Sequence, residues 1–150
     1  MQRFKSGVAN DDDAATHQQH LRLATAAVLL DIAYADGTFS PVEDADLLGF
    51  LKRSFSLDDI AAQEIVRAAD EIRARTIDHF ALTNFIRKNM PLESRIDMVK
   101  EMWRIVYSDG RLTDYENYLV RKLADLLGLE HHVMIGAKVA VLEELGKAAK

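Results

Sequence analysis

No cysteine occurs in this chain of 150 residues, which excludes a disulfide framework, a thiolate metal site and a cysteine nucleophile. Proline occurs twice and glycine seven times, too few for long structureless stretches. No stretch reaches the roughly 18 uninterrupted apolar residues of a membrane-spanning helix. The most apolar segment, residues 24–35, is interrupted by Asp31 and suits a buried core helix. The first ten residues, MQRFKSGVAN, hold no apolar signal core. Basic residues are not in excess: 19 face 24 acidic ones, and the net charge of −5 speaks against a dedicated nucleic-acid surface. Period-two alternation is absent, so no strand is expected. Also absent are G-x-x-x-x-G-K-[ST], G-x-S-x-G and H-E-x-x-H, the marks of phosphate cradles, serine nucleophiles and zinc proteases. These absences lead us to expect a cytoplasmic protein that is not an enzyme, binds no nucleic acid and inserts into no membrane.

What the chain does have is apolar residues, 49% of the total, at helical spacing. The polar residues 1–12 read as a flexible tail, and residues 13–150 as one domain. The acidic run at residues 11–13 suits a helix start, where carboxylates meet the positive end of the dipole. From there a first helix is predicted to Ala35, with Leu21, Ala24, Val28 and Ile32 on one face. A second spans about 41–54. A third opens at Ser56 as cap and carries Ile60, Ile65 and Ala69. A fourth begins near Asp78 and holds Phe80, Leu82, Phe85 and Ile86. Pro91 opens a fifth, containing Trp103, because its missing N–H is not needed in a first turn. Two more follow, about 114–127 and 130–145, separated by Gly128.

The most informative feature is self-similarity. Leu30-Asp-Ile-Ala-Tyr-Ala-Asp36-Gly37-Thr-Phe-Ser-Pro-Val-Glu43 aligns with Trp103-Arg-Ile-Val-Tyr-Ser-Asp109-Gly110-Arg-Leu-Thr-Asp-Tyr-Glu116. A constant offset of 73 separates Asp36 from Asp109 and Glu43 from Glu116. The fold class expected is therefore all-α: a compact bundle of about seven helices with two pseudo-symmetric helix–loop–helix repeats.

The repeated motif admits two chemistries. In the first, Gly37 and Gly110 end their helices in the left-handed conformation. Ser40-Pro41-Val42-Glu43 and Thr113-Asp114-Tyr115-Glu116 are then capping boxes whose glutamates reach back to the backbone. In the second, the motif is the rear half of a calcium loop. With Asp36 at position five, Gly37 falls at six and Glu43 at twelve, and Asp109, Gly110 and Glu116 fit the same places. The front half departs from such a loop, since positions one and three are Ile32 and Tyr34, or Ile105 and Tyr107. Asp36, Glu43, Asp109 and Glu116 are the candidate ligands of a divalent cation such as Ca2+.

These segments resemble the TerB-like family, named for bacterial tellurite resistance. The likeness covers about residues 21–141. It is most specific from Trp103 through Asp109-Gly110 and Glu116 to the Leu-rich run ending at Leu127. It is closest to the stand-alone bacterial branch, and similar domains sit beside the J-domain in membrane-anchored DnaJ-like co-chaperones. The resemblance implies an all-α fold and, in some relatives, a part in tellurite resistance and metal stress. It carries the family's acidic, metal-sensing positions onto Asp36, Glu43, Asp109 and Glu116. Reduction of tellurite would need a redox group, and carboxylates are hard ligands, so no reductase is expected.

The other candidates have plainer explanations. His17 and His20 are three apart but have no third ligand, and His131 and His132 point in different directions on a helix. Tyr34, Tyr107 and Trp103 read as core aromatics. Glu143-Glu144 reads as a solvated face. Two functions stand side by side. One is a binding or scaffold module that senses a cation, with a protein partner in a membrane-associated stress-response complex. The other is a co-chaperone-like interaction domain with no ion, its acidic motif serving only as caps.

Overall fold

In the computed structural model the backbone is described for residues 2–35, 41–75, 78–108 and 112–146, and the side chains for 15–35, 45–75, 78–108 and 112–146. Among the described residues there are seven helices and no strand. They are α1 (Gln2–Ala33), α2 (Pro41–Phe55), α3 (Asp59–Arg75), α4 (His79–Asn89), α5 (Leu92–Val106), α6 (Asp114–Leu126) and α7 (His131–Glu144).

Helix α1 is the spine. Ala26, Ala27, Val28, Leu29 and Leu30 are consecutive and fully buried, so this half of the helix is enclosed all round rather than on one stripe. It touches α2, α3, α4, α5 and α6. Thr25, buried among these residues, turns its hydroxyl back to the Leu21 carbonyl at 2.7 Å and so satisfies itself within the helix. Helical backbone also extends back to Gln2, through the segment expected as a tail, and residues 11–13 lie within the helix rather than at its start. No proline stands in that segment, and extending a formed helix needs only one new hydrogen bond per residue fixed.

Helix α5 forms the second layer of the core. Met98, Val99, Met102, Trp103, Ile105 and Val106 are all buried, and α7 lies along it. Helix α3 packs on α1 and α2, while α4 rests on α1 and reaches α5 and α6.

The helix ends follow local chemistry, with one correction. Ser56 does not cap α3. It adopts φ 56°, the left-handed residue that ends α2, and the next amide, that of Leu57, reaches back to the Lys52 carbonyl at 3.0 Å. The α3 cap is Asp58, whose carboxylate accepts from the Ala61 amide at 2.8 Å. Asp78 does the same for α4 through the Ala81 amide at 3.1 Å. Helix α6 ends at Gly128, which has φ 84°, with Leu129 N–H donating to the Ala124 carbonyl.

Candidate functional site

Of the four acidic residues expected at the candidate site, Glu116 is the one whose side chain is described. Asp36 and Asp109 lie outside the described residues, with Gly37 and Gly110. Glu43 lies in the first turn of α2, with its side chain outside the described residues.

Glu116 is 3% exposed, and its carboxylate is turned back on its own helix. One oxygen, Oε1, accepts from the Thr113 amide at 3.0 Å and from the Thr113 hydroxyl at 3.1 Å. The Thr113 oxygen in turn accepts from the Glu116 amide at 3.1 Å. This is a complete capping box, with Thr113 extended at φ −85° and ψ 161° as the cap requires. Among the described residues no group of three or more His, Asp or Glu is placed to hold a metal ion.

Two clusters of charge beside the core were not expected. The first stands at the end of α1, before the first Asp-Gly loop. Asp31 is held by His79 of α4, Nε2 to Oδ2 at 2.5 Å, and by Arg73 of α3 at 3.7 Å. The Arg73 guanidinium also lies 4.2 Å over the Tyr34 ring. Asp31, which interrupts the most apolar stretch of the sequence, thus ties α1 to two other helices.

The second cluster is built on α5. Glu101 is 1% exposed, and its Oε1 accepts from Arg104 Nη1 at 3.2 Å. Its Oε2 has no partner among the described residues. Arg104 extends across to α7, where Nε and Nη2 meet the two Glu144 oxygens at 2.7 and 3.1 Å. Burial pushes the Glu101 carboxyl up to about 7, against the opposing pull of Arg104. Burial likewise raises Asp46 on α2, opposed by Arg104 and Arg53. The hydrogen bond from Arg104 lowers Glu144. Glu144 is therefore a structural partner rather than part of a purely solvated face. In the sequence alignment of the two copies, Arg104 stands where the first copy has Asp31.

Two of the histidines share one aromatic neighbour. His17 and His20 set their rings edge-on to Phe85, with centroids 6.0 and 5.9 Å away. His131 and His132 are exposed at the start of α7. Trp103 is fully buried, as expected of a core residue, with Lys138 of α7 at 5.0 Å over its ring.

One cleft is apolar. It holds about 190 Å³ between α1, α3 and α4, lined by His20, Leu23, Ile72, Ala81, Leu82 and Phe85 among others. Phe80 of α4 is 64% exposed. A wider depression of about 500 Å³ between α6 and α7 is lined by Tyr118, Arg121, Lys122 and His131.

The family model described as tellurite resistance protein TerB matches residues 22–139. The chain belongs to the TerB family. The match takes in the buried part of α1 and most of α7, so the seven-helix bundle is the TerB fold as this sequence builds it. No curated protein and no solved structure matches the chain. Within the TerB domain, Thr113 and Glu116 were legible from their spacing. Glu101 was not, although a lone carboxylate among Met98, Val99 and Met102 is the signal that could have found it. Among the described residues no helix is long and apolar enough to cross a membrane.

Proposed function

We propose that this TerB-family chain is a non-catalytic binding or scaffold module of a bacterial tellurite and metal-stress response, with another protein as its partner. The observation that carries the proposal is the apolar cleft between α1, α3 and α4, together with the exposed Phe80 of α4. Exposed apolar surface rimmed by polar residues marks protein-binding sites. Glu116 supports the interaction role over cation sensing, because one oxygen of its buried carboxylate is engaged in the cap. A cation would then depend on Asp36, Glu43 and Asp109.

The test is complementation of a tellurite-sensitive strain lacking this gene. The wild-type chain and Glu116→Gln should restore growth, while Phe80→Asp should not, although it should fold with unchanged helicity. Growth restored equally by Phe80→Asp would remove the exposed ring of α4 from the proposal. Calcium and other divalent ions should be titrated against the amide resonances of Asp36, Gly37, Asp109 and Gly110. Saturable shifts at micromolar ion would return the cation-sensing role to first place.

A further inference from the structure

The charges beside Glu101 are arranged around a single shared guanidinium. Arg104 donates one bond inward to Glu101 and two outward to Glu144 near the C-terminal end of α7. From α2, Asp46 and Arg53 bear on the same point, and on α5 Lys100 bears on Glu144. Three carboxylates therefore meet two guanidinium groups whenever Glu101 is ionised.

We propose that Glu101, Arg104 and Glu144 form a proton-operated clasp on the C-terminal end of α7. A carboxylate can accept about four hydrogen bonds, and an ionised one in a buried site needs most of them. Glu101 has one, at 3.2 Å, and its other oxygen has none. The neutral acid tolerates this shortage at lower cost than the anion does. With Glu101 protonated, Arg104 is left to Glu144 and the end of α7 is held. When the proton leaves Oε2 for solvent, the new charge draws the Arg104 guanidinium inward, and the grip on Glu144 loosens. The raised position of Glu101, to about 7, puts this exchange close to neutrality. What the loosened end would uncover is apolar: Val141 is fully buried, and Lys138 one turn earlier covers Trp103. The clasp thus couples proton concentration to exposure of a core surface, independently of the cleft on the other helices.

Amide hydrogen exchange on the full chain tests this, read at Leu145 and Gly146, whose N–H groups close the last turn on Val141 and Glu143. After correction for base catalysis, protection there should fall by about tenfold between about pH 5.5 and 8.5 in the wild type. It should be flat in Glu101→Gln and low at both pH values in Glu144→Gln. A carbon-13 titration of the wild-type Glu101 carboxyl should have its midpoint near 7; this readout decides the matter even if Glu101→Gln does not fold. A fall in protection that survives in Glu101→Gln, its absence in the wild type, or a Glu101 midpoint below about pH 5 would each overturn the clasp.

Discussion

Glu116 accepts from both the amide and the hydroxyl of Thr113, so a single carboxylate oxygen closes the open end of α6. Gln offers the same carbonyl oxygen at the same reach, whereas Ala offers none. Glu116→Gln should therefore change the unfolding free energy by less than about 0.5 kcal/mol, and Glu116→Ala should lower it by about 1–2 kcal/mol. Urea denaturation of the three proteins checks this; equal losses for Gln and Ala would mean that the charge, not the cap, holds the residue. The cap was legible in the sequence because its two residues are three apart and need nothing else. Glu101 and Asp31 were not, because each acquires its meaning from distant residues: Glu144 and Arg53 for one, His79 and Arg73 for the other. The same holds for His17 and His20, whose common partner, Phe85, lies far along the chain.

At the scale of the element, helix type and order follow from apolar spacing, and boundaries follow from caps. The segment Ser56-Leu57-Asp58-Asp59 shows where spacing alone misleads. Serine and aspartate both cap helices, and which one does so is decided by how the preceding helix ends. Once α2 closes with Leu57 bonded to Lys52, Ser56 is forced left-handed and Asp58 inherits the start of α3. A left-handed serine carries a steric cost that glycine avoids. Ser56→Gly should thus raise stability by about 0.5–1 kcal/mol, after the added freedom of the unfolded chain is subtracted. The opposite holds at the end of α6. Gly128 has φ 84°, and a Cβ there would lie 2.9 Å from Arg87 Cδ and 3.0 Å from Arg95 Nη1. The Arg95 group cannot easily retreat, because it donates to the Leu127 carbonyl at 2.7 Å. Gly128→Ala should cost about 1–2 kcal/mol. Thermal denaturation of the pair gives the signs, and a stabilised Gly128→Ala would refute the account of that turn.

For the molecule as a whole, all-round burial of the second half of α1 and burial of one face of α5 make a single core, and Glu101 is the charge set against it. Its carboxyl moves from 4.5 to about 7 on folding, so the folded chain holds a proton over a range where the unfolded chain has released it. Stability from this group is therefore full below about pH 4.5 and is lost as pH rises through about 7. At about 1.4 kcal/mol per unit the whole effect is about 3 kcal/mol, of which about 2 kcal/mol falls between pH 5.5 and 8.5. Glu144 works in the opposite direction, since Arg104 lowers it. Its contribution is small because the group is half-exposed, and it is lost only in acid, below the window in question. The wild-type protein should consequently weaken from pH 5.5 to 8.5, a large change against the roughly 5–15 kcal/mol that holds a domain folded. Glu101→Gln should be the more stable of the two at pH 8.5, with the gap closing toward pH 5. Taking the difference between the two proteins cancels every other group's contribution, which both share. Guanidinium unfolding at four or five pH values measures it, and parallel curves for wild type and variant would show that Glu101 is ionised in the core at no cost.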